Sequence, residues 1–100
     1  MTDARSRSIR WIEQGRQIGK NFSIERGGKM FHASVAIQRQ GTVYRVHADE
    51  IDEGSMAAET FVRDDSRSFE TLDAAIAFIE QTTPVRLEDL APSKGLKWFR

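Results

Sequence analysis

Phe31-His-Ala-Ser-Val-Ala-Ile-Gln-Arg39 is the stretch that decides the fold. Phe31, Ala33, Val35 and Ile37 occupy alternate positions, and His32, Ser34 and Gln38 fill most of the positions between. A period of two sends successive side chains to opposite faces, so this is a strand with one buried side. Upstream, Phe22-Ser-Ile-Glu-Arg26 alternates in the same way and runs into Gly27-Gly28, a pair suited to a two-residue hairpin turn. Downstream, Gln40-Gly41 reads as a second short turn, after which Tyr44, Val46 and Ala48 alternate with Arg45, His47 and Asp49.

The two turns imply registers that can be checked against each other. A loop at Gly27-Gly28 sets Phe22 opposite Ala33 and Ile24 opposite Phe31. A loop at Gln40-Gly41 sets Ile37 opposite Tyr44, Val35 opposite Val46 and Ala33 opposite Ala48. Both hairpins then gather the same apolar residues on one side, whereas a one-residue slip would turn a strand inside out.

The rest of the chain is arranged around this core. Glu50-Ile-Asp-Glu-Gly-Ser55 reads as an acidic loop, followed by a fourth strand near Ala58–Arg63 that turns inward either Phe61 or Ala58, Thr60 and Val62, with Phe61 favoured for its larger apolar area. Thr71–Thr82 is the clearest helix: Thr71 caps it, Asp73 suits its positive end, and Leu72, Ala75, Ile76 and Ile79 form one stripe. Phe78 lies beside that stripe, reaching either the sheet edge or a second chain. Pro84 ends the helix by driving Thr83 out of helical geometry. Ile9, Trp11 and Ile12 allow a short helix over Ser8–Gln17, which Gly15 and Gly19 weaken, and Leu87–Leu90 reads as a helical turn. The expected fold is therefore a single α+β domain over residues 1–100. It is a four-stranded antiparallel meander with one helix on one face, a short N-terminal helix and an ordered C-terminal tail.

Composition narrows the function. The chain has no cysteine, which rules out disulfides, thiolate metal sites and a cysteine nucleophile, and suits a reducing cytoplasm. The longest apolar run, Ala74–Ile79, is far shorter than the roughly 20 residues of a membrane span. Met1–Arg10 lacks the apolar segment of a signal peptide, so the expected location is cytoplasmic with no membrane partner. Lys plus Arg and Asp plus Glu balance at 15 each, but unevenly along the chain: residues 1–48 are basic, 49–89 acidic and 90–100 basic again. Such segregation favours orientation-specific association.

The second hairpin register also places side chains on the reverse side of the sheet, with Ser34 opposite His47, His32 opposite Asp49 and the two histidines diagonal neighbours. Ser, His and Asp together suggest nucleophilic catalysis, but no oxyanion hole or nucleophile elbow accompanies them, and no catalytic residue is assigned. His47 with Asp49, Glu50, Asp52 and Glu53 lacks the spacing of a calcium loop, so no metal is expected. Gly15-Arg-Gln-Ile-Gly19-Lys20 is one residue short of a phosphate loop, and Asn21 stands where Ser or Thr is needed. No cofactor is expected. The reverse side, with Met30, His32, Ser34, Arg45 and His47, is short of Lys and Glu for a solvated surface, and the tail adds Leu96, Trp98 and Phe99. Together with Phe78 these are the candidate ligand or interface residues.

The strand-strand-strand-strand-helix order from Phe22 to Thr82 resembles the PC4-like coactivators that bind single-stranded DNA as dimers. That resemblance implies basic and aromatic residues on the sheet, where this chain offers Arg45 and two histidines. In size and style the chain also resembles the short orphan α+β proteins of bacterial integron-type gene cassettes, which implies a homo-oligomer of bacterial origin. The reading that follows is a non-enzymatic, self-associating binding protein. A single-stranded nucleic-acid binder stacking bases on Trp11 or Trp98 ranks second. An inhibitor or immunity-type protein, meeting a basic partner through residues 49–73, ranks third.

Overall fold

The computed structural model describes residues 3–52 and 61–92, with residues 61–64 described by backbone alone. The element order is α1 (Ala4–Glu13), β1 (Ile18–Arg26), β2 (Lys29–Gln40), β3 (Val43–Asp52), β4 (Phe61–Phe69), α2 (Leu72–Thr82) and a 3-10 turn at Leu87–Asp89. The strands form one antiparallel sheet in the order β1-β2-β3-β4. Both helices pack on the same face, α1 over β1 and β2 and α2 over β3 and β4.

The first hairpin has the register that the alternation requires, Phe22 opposite Ala33 and Ile24 opposite Phe31. Gly27 and Gly28 both take positive φ, the conformation a two-residue hairpin turn needs and glycine supplies without a Cβ clash. The second hairpin is shifted by two residues from the expected pairing. Ile37 faces Val46 rather than Tyr44, Val35 faces Ala48 rather than Val46, and Ala33 faces Glu50 rather than Ala48. The loop is Gly41-Thr42, closed by Gln40 opposite Val43. Its physical cause lies in Gly41, which has φ of 65°. With the glycine first in the loop, the position that both favoured hairpin turns place at positive φ carries no Cβ, whereas a Gln40-Gly41 loop would put Gln40 there. A shift of two leaves each residue on its own face, so the buried side is as expected.

That buried side forms the core. Val35, Ile37, Val46 and Ala48 from the sheet meet Ile12 of α1 and Ala75, Ile76 and Ile79 of α2. Ile18, Val85, Leu87 and Leu90 close it along the β1 side, where Gly19 and Ala91 exchange backbone hydrogen bonds. Burying each such aliphatic side chain contributes about 1.5–3 kcal/mol, which is why the stripe on α2 and the alternation on the strands must face each other.

Several boundaries differ from expectation. α1 begins at Ala4 rather than Ser8, because the Asp3 carboxylate accepts the Ser6 amide hydrogen at 2.8 Å and caps the helix four residues earlier. It ends before Gly15, whose positive φ stops it. β1 starts at Ile18, ahead of the alternation that begins at Phe22. β3 runs through Glu50 to Asp52, where a loop was expected. Glu50 is buried there at 7% exposure and held by a two-pronged ion pair from Arg26, with N–O distances of 3.0 and 3.1 Å. β4, expected over Ala58–Arg63, is described over Phe61–Phe69 and so continues beyond its expected end. The expected inward orientation of Phe61 and the residues of 58–60 lie outside the described side chains, though the backbone pairs Phe61 with Ile51 beyond a bulge at Glu50/Ile51. α2, its Thr71 cap and the extended Thr83 that ends it match expectation, and the expected turn at Leu87–Leu90 is the 3-10 turn.

Candidate functional site

With both helices on one face, the reverse face of the sheet carries the even-numbered residues of β2 and the odd-numbered residues of β1 and β3. Three cross-strand rows define it. Gly19, Ala36, His47 and Ser66 form one; Asn21, Ser34, Asp49 and Asp64 are in register in the next; Ser23, His32 and Ile51 follow. Ala36 is fully buried and Ser34 is 7% exposed, so the centre of this face is made of small, buried side chains. Across the last two rows lies a shallow groove of about 370 Å³ lined by Asn21, Ser23, His32, Ser34, Asp49 and Ile51, with Phe22 and Ala33 in the strands between them.

The centre of the groove is a hydrogen-bonded chain. Ser34 Oγ donates to Asp49 Oδ1 at 2.8 Å, and His47 Nε2 meets Asp49 Oδ2 at 3.0 Å. A carboxylate only accepts, so for this bond the imidazole carries a proton on Nε2. Ser23 Oγ and His32 Nδ1 are 3.5 Å apart at the outer wall.

This order of contacts corrects the expected constellation. Ser34 faces Asp49 rather than His47, His47 faces Ala36, and His32 faces Ile51 rather than Asp49. The two histidines are two rows apart, not diagonal neighbours. All three residue types of a nucleophilic triad do meet, but the carboxylate sits between hydroxyl and imidazole. Activation of a serine needs the base on the hydroxyl and the acid behind the base. Here Ser34 gives its hydrogen to the carboxylate, an arrangement that fixes the serine and does not deprotonate it.

The other candidates fall in different places. Met30 lies on the reverse face beside the β1–β2 turn and is 37% exposed. Arg45 lies on the same face farther along β3, where its guanidinium donates to Gln40 Oε1 at 3.4 Å and Ser66 Oγ at 3.1 Å. Phe78 belongs to the opposite face: its ring packs on Phe69 with centroids 5.4 Å apart, and the Arg67 guanidinium lies 5.0 Å from its centroid. That contact is the sheet-edge role expected for it. Leu96, Trp98 and Phe99 lie outside the described residues. Trp11 is half-buried on α1, with the Arg7 and Arg16 guanidiniums 5.0 and 6.0 Å from its ring centroid.

Asn21, Ser23 and Ile51 complete the groove and were not singled out from sequence, whereas Asp49 was weighed there only as a catalytic or metal-binding carboxylate. Asn21 and Ser23 were accessible to that reasoning, since they alternate with Phe22 and Ile24 in a hairpin whose register is correct. Ile51 was hidden by the reading of its segment as a loop. Among the described residues, no group of three or more His, Asp or Glu converges in metal-binding geometry, and no helix is long and apolar enough to cross a membrane.

Comparison of the chain with protein-family models, curated proteins and solved structures found no match. The site is therefore interpreted from its own geometry.

Proposed function

We propose that this chain is a non-enzymatic, self-associating binding protein whose working surface is the reverse face of its sheet. The observation that carries this reading is the asymmetry of the sheet. Every described helix lies on one side, while the other side has a centre of small, buried side chains at Ser34 and Ala36 and a groove beside it. A face built in this way suits stacking against another sheet.

Its size is also appropriate. Four strands about 4.8 Å apart and about nine residues long span roughly 19 by 30 Å. That projected area is of the same order as the roughly 800 Å² that each partner buries in a standard stable interface. Met30 and Ile51 supply apolar contact at one end, and Val43 at the other. The contact order of Ser34, Asp49 and His47 supports a binding role over a catalytic one.

Single-stranded nucleic-acid binding ranks lower on electrostatic grounds. The basic half of the chain spends Arg5 on Glu80 and Glu88, Arg26 on Glu50 and Arg39 on Glu13. Trp11, a proposed stacking platform, already has two guanidiniums over its ring.

Sedimentation velocity at micromolar concentration tests the proposal. The chain should sediment as a dimer or larger assembly, and Met30→Asp combined with Ile51→Asp should shift it to monomer while preserving its circular dichroism spectrum. A wild-type chain that is monomeric throughout that range refutes self-association.

A further inference from the structure

We infer that Asp49 makes the reverse-face groove a site for an organic cation, an alkylammonium or guanidinium group. This rests on the reading of the reverse face as the binding surface and adds the chemistry of what it takes.

The argument begins with hydrogen-bond capacity. A carboxylate has about four acceptor positions. Ser34 and His47 take one on each oxygen of Asp49, and the side chain, 20% exposed, still lines the groove. Its cross-strand row contains Asn21, Ser34, Asp49 and Asp64 in register and no Lys or Arg. On the reverse face Arg45 stands two rows from Asp49 and donates to Gln40 and Ser66, while Lys20 and Arg26 occupy positions of the opposite face, Arg26 paired with Glu50. The groove thus presents an anionic acceptor fixed by neighbours on both sides.

The surrounding groups suit a cationic nitrogen. An ammonium has three hydrogens to donate and a guanidinium five. The Asn21 carboxamide and the Ser23 hydroxyl supply neutral acceptors on the β1 side, and Ile51 gives an apolar wall for methylenes. At about 370 Å³ the groove is near the small end of ligand sites, which favours a short chain over a large planar molecule. A cationic nitrogen could come from a free amine or from a basic side chain of a second copy.

Amide-resolved NMR titration of the full chain with 1,4-diaminobutane, against sodium chloride at matched ionic strength, separates these sources. A free amine should give saturable shifts centred on Asn21, Ser23, Ser34, Asp49 and Ile51, weakened roughly tenfold or more in Asp49→Asn, as expected for losing a charge-assisted hydrogen bond. Ser34→Ala retains the charge but removes an orienting donor, and should weaken binding several-fold. If the cation belongs to a second copy, Asp49→Asn should instead convert the oligomer to monomer in sedimentation. Unsaturable shifts, or shifts elsewhere, together with an assembly indifferent to Asp49→Asn, overturn the inference, as does a folded Asp49→Asn chain that binds the diamine like wild type. An oligomer unaffected in both arms would sink this inference alone. A monomer that binds diamine through Asp49 would sink self-association alone.

Discussion

Glu80 shows how much of this fold depends on individual polar side chains. From α2 its carboxylate accepts from Arg5 of α1 at 2.9 Å and from the Leu87 amide at 3.1 Å, linking three separate segments. The Arg5 hydrogen bond, and after it the Leu87 amide, hold the Glu80 carboxyl below the ordinary carboxylate range. Because the native value is depressed, the linked stability is fully present above the unfolded-state pKa and is lost as pH falls through the native value. Urea unfolding should therefore show stability falling in acid, and Glu80→Gln should flatten that part of the curve. At neutral pH the same substitution should cost about 1 kcal/mol, since Arg5 is exposed enough for solvent to screen the pair. Equal acid slopes in both proteins would contradict this assignment. Other polar anchors are local. Ser8 is fully buried but satisfied by Ala4 and Leu90 carbonyls, and the Tyr44 hydroxyl donates to Glu13 at 3.0 Å, which raises the tyrosine pKa.

Among the elements, the hairpins and β4 show where alternation is informative and where it is not. Alternation identifies β2 and the buried faces of β1 and β3, because the inward positions of a half-buried strand repeat every two residues. The second turn depends on a single residue. Gly41 has positive φ, and a Cβ built there meets nothing within 4 Å, so a side chain at that position costs backbone strain and no packing. Gly41→Ala should therefore lower stability by about 1 kcal/mol, with Gly41→Asn recovering much of the loss because asparagine tolerates the left-handed region. Thermal unfolding of the two variants checks this, and an alanine variant as stable as wild type would assign the register to something other than the turn. β4 was harder to place because Asp64-Asp65-Ser66 has poor strand propensity, and charge on an edge strand is a device against unwanted pairing rather than a strand signal. Its position comes from the long-range ladder with β3 and from Phe69 packing on Phe78 of the helix that follows. Glu50 was misread for a similar reason: an acidic residue signals a loop unless a distant partner, here Arg26, meets it in the sheet.

For the whole molecule, part of the segregated charge of the sequence is folded into internal pairs that join its basic and acidic segments, Arg5 with Glu80 and Glu88 and Arg26 with Glu50. The reverse face retains few charges, so assembly through it should change little between low salt and about 0.5 M salt, where exposed charges are screened within a few ångströms. Sedimentation at both salt levels tests this, and dissociation in high salt would mean that the assembly depends on ion pairs, at Asp49 or outside this face. The sequence alone determined the class of fold, the buried faces and the principal helix, because side-chain period, caps and turn residues act over a few positions. Only the tertiary structure decided which residues meet across the sheet. A two-residue shift leaves every face intact yet replaces every cross-strand neighbour, and that shift is what puts Asp49, instead of His47, against Ser34.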